Sequence, residues 1–246
     1  MPSITLAKRY GCAVLALLLL LGLCACQAAS STGPTFEKIL PGDARFNAER
    51  MHAHEVSYRK SGGKMIYRIT PTDRQDDPVW EVAVYFGDLS ATPDRIYLDR
   101  QTLALRGRRL EMKDYVIDVN FVDQHFSGSL APTAGSDYSE RRYNKAYEHG
   151  VFEPAVLNYV IAALPLEVGF QASLPTLDLN GESSLYWANI DVVKREVIKI
   201  DGVKHDTWKV RSHGIKQKTL WISTSEPFVV QMKTSGNFGT WKMTVP

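Results

Sequence analysis

Cysteine is almost missing from this chain: its three residues, Cys12, Cys24 and Cys26, all fall within the first 26 positions. A domain built from the rest has no thiol for an internal disulfide or a nucleophile, so its stability must come from a packed core. The G-x-S-x-G elbow, the Walker loop and the G-x-G-x-x-G turn are absent as well, which leaves serine hydrolysis and nucleotide binding without a sequence signal. No internal repeat of about 20 to 50 residues is present, which weighs against a propeller or solenoid. Charge of one sign is lacking too. The chain has 29 basic and 27 acidic residues, and removing residues 1 to 25 takes away Lys8 and Arg9 and leaves 27 of each. A neutral domain without a basic run argues against nucleic acid and anionic lipid headgroups as partners.

Long apolar runs are confined to the start. Lys8 and Arg9 precede an uncharged, Leu-rich stretch from Gly11 to Ala25, the order of charge then hydrocarbon that builds an export signal. A spanning helix needs about 20 apolar residues, which this stretch does not reach. The tetrad Leu23-Cys24-Ala25-Cys26 places an aliphatic residue three before Cys26 and a small one just before it, as a bacterial lipoprotein signal requires. Cleavage before Cys24 would put Leu23 in the slot that needs a small side chain. The sequence therefore predicts a signal peptide over 1–25 and lipidation of Cys26, whose acyl chains would anchor the protein at about 0.8 kcal/mol per buried CH₂. Gln27 resembles the default outer-membrane sorting signal, so the expected location is the outer membrane, facing the periplasm.

From Gln27 to Pro41 the residues are largely Ala, Ser, Thr, Gly and Pro, and a flexible tether is expected over 26–45. A single β-rich periplasmic domain is expected over 46–246. Its strand signals are alternating or β-branched stretches at 56–69, 80–86, 95–98, 115–121, 185–200, 207–211, 218–222, 228–233 and 240–245. Turn signals separate them at Ser61-Gly62-Gly63, Asp88 to Pro93, Ser127-Gly128, Asn180-Gly181, Asp201-Gly202, His213-Gly214 and Ser235-Gly236-Asn237, and Asp201-Gly202 is the clearest hairpin. Pro154 and Pro165 bracket good helix formers, so one helix is predicted over roughly 153–163, with an apolar face of Ala155, Val156, Tyr159, Val160, Ala163 and Leu164. The polar stretch 128–148 reads as a long loop suited to binding. The predicted fold class is mainly β (α+β), a curved antiparallel meander or half-barrel with one covering helix.

Candidate chemistry is sparse. The string His52-x-His54-Glu55 would point both imidazoles to one face of a strand, as a metal pair requires. A further ligand would have to come from His125, His149, His205 or His213, and spacing places none of them, so no metal, catalytic or cofactor site is assigned. Asp76-Asp77, Glu81 and Asp88 flank turns and strand starts, where Asp caps backbone. The aromatic residues Trp80, Tyr85, Phe86, Tyr97, Trp187, Trp208, Trp221, Phe228 and Trp241 either line the concave face of a half-barrel or fill its core.

The strings GVFEP at 150–154, ALPLEVG at 163–169, EVI at 196–198, WKV at 208–210, TLWIS at 219–223 and EPFVV at 226–230, with YLDRQTL at 97–103, resemble a family of bacterial envelope proteins catalogued only as a domain of unknown function. The likeness spans residues 95 to 235, and residues 46 to 95 match poorly. The family looks related to the open β-barrel of the lipoprotein carriers LolA and LolB. That resemblance implies a curved sheet with helical cover around an apolar cavity, and it carries no catalytic residues. Three functions follow as expectations: binding of a lipid or other apolar ligand, scaffolding through an envelope protein partner, and hydrolysis of envelope polymers.

Overall fold

The computed structural model describes residues 36–179, 184–214, 216–226, 228–236 and 239–244. The expected signal peptide, Cys26 and the Asn180-Gly181 turn lie outside the described residues.

Alternating burial builds the sheet. Along β5 (Asp94–Asp99) every second residue is buried, Ile96 and Leu98 completely, so one face is dry and the other meets water. Among the described residues, fifteen strands form a single sheet in two meanders. The first runs through β2 (His54–Lys60), β3 (Gly63–Arg74), β4 (Asp77–Phe86), β5, β6 (Leu105–Glu111), β7 (Tyr115–Val122), β8 (His125–Pro132) and β9 (Arg141–Ala146). The second runs through β10 (Gln171–Asp178), β11 (Ser184–Ile200), β12 (Val203–His213), β13 (Lys218–Ser223), β14 (Val229–Thr234) and β15 (Gly239–Met243). Antiparallel pairing of β15 with β2, Met243 opposite Tyr58, joins them. A short strand β1 (Glu37–Lys38) adds to β10, in parallel, at one end.

The sheet is open in strand order, from β1 to β9, yet it curls. Two segments bridge parts of the sheet that are distant in strand order. Leu105 N–H of β6 donates to Val151 O (2.8 Å), while Phe152 N–H donates to Pro175 O (2.8 Å) of β10. Ile39 N–H likewise donates to Ser173 O (3.0 Å) and Gly42 N–H to Thr102 O (3.2 Å). Ile39, Phe152, Leu103 and Leu105 are completely buried at these crossings. Inside the curl sits the helix α1 (Leu157–Ala162). Its last carbonyls are satisfied by the neighbouring chain: Arg50 Nη1 donates to Ala162 O (2.8 Å) and Asn47 N–H to Ala163 O (2.8 Å).

Several expectations need correction. The sheet reaches back to Glu37, inside the stretch expected as tether, because Lys38 precedes a fully buried Ile39. The helix is shorter than 153–163 and all six of its residues are buried; it is enclosed by the sheet, so it has no solvent face. The expected loop at 128–148 contributes the end of β8 and all of β9. Its polar side chains sit on the edge strand, where Arg141 and Arg142 are exposed, a common guard against edge pairing. Ser127-Gly128 is not a turn but lies mid-strand in β8. Gly128 is required by close approach, since a Cβ there (φ +132°) would meet Asp118 O at 2.2 Å.

Candidate functional site

The crossing segment determines where the polar groups of the interior meet. Because Val151 is bonded to the start of β6, the next acid, Glu153, arrives beside Arg108 of that strand. Arg108 Nη1 donates to Glu153 Oε1 (2.8 Å). The same guanidinium holds Asp94, at the start of β5, with two parallel bonds from Nε (2.9 Å) and Nη2 (2.7 Å). Side-chain exposure is 14% for Arg108, 6% for Asp94 and zero for Glu153. Lys218, half-buried at the start of β13, donates from Nζ to Pro154 O (3.0 Å).

Burial sets the electrostatics. It pushes the Glu153 carboxyl up to about 7, against the pull of Arg108, and the nearby Asp94 charge adds to the rise. Burial also works against the Arg108 charge, but Glu153 and Asp94 outweigh it and hold the guanidinium above its ordinary value. The protein packed around Lys218 lowers its ammonium, Glu153 opposes that, and Lys216 adds to it. Three buried polar atoms have no partner among the described residues: Trp80 Nε1, His205 Nε2 and Glu153 Oε2. Of these residues only Glu153 lines the cavity whose wall also holds Asp94 and Arg108.

That cavity has a volume of about 310 Å³. Its walls are Met65, Val84, Leu157, Leu220, Met232 and Trp241, and Asp94, Arg108, Glu153 and Lys218 also face it. Exposed Phe86 lines it too. The site is thus a hydrocarbon-lined hollow with a charged cluster in its wall. A second, more open hollow lies between Arg45, Arg50, residues 163–167 and Trp208. Its cations are already engaged, Arg45 with Asp43 and Glu37 and Arg50 with Ala162 O, so it offers a ligand less.

The residues singled out from sequence are dispersed. His52 and His54 do come together, ring centroids 4.7 Å apart, and His52 Nε2 pairs with Glu226 (3.1 Å). Burial lowers the His54 pKa. Among the described residues no group of three or more His, Cys, Asp or Glu could hold a metal. The aromatic set divides. Phe86 and Trp241 line the cavity, Tyr85 packs with Ile66 and Ala83 in a separate cluster, and Trp80, Tyr97, Trp187, Trp208 and Trp221 carry cations over their rings. Arg108, Asp94, Glu153 and Lys218 were not singled out. The available signal was Glu153 itself, one acid inside the apolar string VFEPAVL, where an ionisable group calls for a partner or a use.

Fold and site together define a class: an open, curled antiparallel sheet around a buried helix and an amphipathic cavity. The chain belongs to the family described as protein of unknown function (DUF3108), whose model matches residues 48–245. That match includes the stretch 48 to 95, in which the sequence likeness had been poor. A solved structure, a β-barrel-like protein of domain of unknown function DUF1849 from Brucella abortus, is similar at 10% identity and a TM-score of 0.42, over 77% of this chain and 92% of that one. No curated protein matches the chain.

Proposed function

We propose that this protein is a lipid-anchored component of the bacterial envelope that binds a lipid or other apolar small molecule inside its half-barrel. The cavity carries the reading. A hollow of about 310 Å³ with largely apolar walls and a charged cluster among them has the form of a ligand site. Anchoring through Cys26 and a place on the periplasmic face of the outer membrane belong to the same proposal, supported by the charge-then-Leu order of residues 8–25 and by Leu23-Cys24-Ala25-Cys26. So does a kinship in fold with the LolA and LolB carriers, which the curled sheet and interior helix favour.

Native mass spectrometry of the detergent-extracted protein tests both parts. The expected result is an acylated Cys26 and a non-covalent apolar ligand. An unmodified N-terminus would sink the anchor, and a domain that neither carries a ligand nor takes up a neutral apolar dye would sink the cavity reading. Docking of an envelope protein is the second reading. Its supporting observation is that 128–148 supplies β9, the edge of the sheet, and its test is a crosslinked partner that disappears when β9 is altered.

A further inference from the structure

The cluster in the cavity wall narrows the chemistry of the ligand, provided the cavity is a binding site as proposed above. Asp94 and Arg108 are matched by their bidentate bonds. The groups with capacity left are Glu153, whose Oε2 is completely buried and unpartnered among the described residues, and Lys218, whose Nζ makes one bond, to the carbonyl of Pro154. Pro154 follows Glu153 in the chain, so the ammonium and the free carboxyl oxygen share one corner. Three cations line the cavity, Arg108, Lys216 and Lys218, with one matched carboxylate, Asp94, and one carboxyl that burial favours in its neutral form. The corner therefore lacks negative charge. An amine would repel Lys218. A carboxylate accepts from the Lys218 ammonium and from the Glu153 hydroxyl at once, and it adds negative charge where the cations are in excess. Met65, Val84, Leu220, Met232 and Trp241 give the cavity its hydrocarbon surface, and about 310 Å³ lies at the lower end of known ligand cavities, enough for one chain and not several.

We infer that Lys218 and Glu153 form a head-group site for the carboxylate of a single-chain fatty acid, whose alkyl chain fills the apolar part of the cavity. Binding takes up no proton as long as Glu153 already holds its own. As pH rises and Glu153 ionises, its charge repels the ligand. Asp94, Arg108, Lys216 and Lys218 are the charged groups around it, with the Tyr67 hydroxyl nearby on Ala155 O.

The test uses the mature full-length protein, cleared of co-purifying lipid and loaded with the neutral dye N-phenyl-1-naphthylamine. Hexadecanoate, methyl hexadecanoate and hexadecylamine then compete for the dye. Hexadecanoate is expected to displace it at concentrations roughly tenfold or more below the other two, the worth of one charge-assisted hydrogen bond. That advantage should shrink between about pH 6 and about pH 9, and also in Lys218→Met and Glu153→Leu, whereas Glu153→Gln, whose amide donates and has no proton to lose, should keep it across that range. Equal displacement by acid, ester and amine would overturn the head-group site and leave the apolar cavity standing. An advantage that survives both Lys218→Met and Glu153→Leu would overturn the assignment to these residues. A dye that never binds would end the cavity reading and this inference together. The comparison of competitors is made on unaltered protein, so it does not depend on any variant folding.

Discussion

Two groups of buried polar side chains share the interior of the curl, and they are finished differently. Tyr58, Tyr67 and Tyr159 are packed edge to face or tilted, with centroids 5.3 to 5.7 Å apart, and their hydroxyls are all placed. Tyr58 donates to Val229 O (2.7 Å), Tyr159 meets Tyr58 at 3.3 Å, and Tyr67 reaches Ala155 O (3.4 Å). Burial raises the pKa of all three, so they stay neutral and carry no charge that needs an answer. The cluster of Asp94, Arg108, Glu153 and Lys218 holds formal charges in the same interior, in the wall of the cavity, and leaves Glu153 Oε2 buried without a partner among the described residues. The first group finishes a core. The second costs desolvation without being completed, and a fold retains such a group at a site more readily than in a scaffold.

The largest effect should come from breaking the second group at its centre. Arg108→Met leaves Asp94 and Glu153 buried without their cation, and loss of one partner in a buried pair costs about 3–5 kcal/mol. Denaturant unfolding measures it. A loss near zero would mean that water reaches the cluster freely, and the contrast with the tyrosines would disappear.

Glu153→Gln sharpens the comparison through pH. The folded carboxyl titrates at about 7, against an ordinary value of 4.5. Below the lower value both folded and unfolded chains are protonated, and burial costs nothing in charge. Between the two values the unfolded chain ionises first, so the folded state binds more protons and its stability falls as pH rises. Above about 7 the whole cost is present, on the order of 3 kcal/mol. The amide of the substituted side chain has no proton to lose, so the variant should gain on the parent as pH rises through that window and hold its gain above it. Unfolding midpoints across the pH range give the difference directly, and parallel curves would contradict a neutral Glu153.

How much of this could be read from sequence depended on whether a residue's local signal matched its tertiary use. The hairpin at Asp201-Gly202 was legible because the pair itself favours left-handed backbone (φ +48° and +89°). The same geometry at Gln75-Asp76 and Asp123-Gln124 (φ +54°, +67° and +48°, +63°) was not, since neither pair contains glycine and the flanking strands impose the turn. Gly128 signalled a turn and serves instead a close strand contact. β9, with the sequence RRYNKA and only Tyr143 buried, carries no alternation strong enough to mark a strand; pairing with β8 makes it one. The site was illegible for a related reason. Asp94, Arg108, Glu153 and Lys218 are far apart in the chain, and the bond from Leu105 to Val151 is what brings Glu153 to the strand that carries Arg108.

The smaller effects test the finished cluster and then the surface. Tyr58→Phe removes the bond to Val229 O while keeping the ring, and the cost of one buried neutral hydrogen bond is about 1–2 kcal/mol. Unlike the gain from Glu153→Gln, this loss should be the same across the acid and neutral range, because no group in the trio changes charge there. Arg195, paired with Asp206 on the long β11–β12 hairpin, supplies the lower limit. Its guanidinium is 55% exposed, solvent screens the pair, and ordering two long side chains offsets what attraction is left. Arg195→Ala is therefore expected to leave the unfolding midpoint where it was. A resolvable shift there would mean that ion pairs in this protein stabilise it wherever they occur, and the open cluster at Glu153 would lose its distinction from the rest of the charged surface.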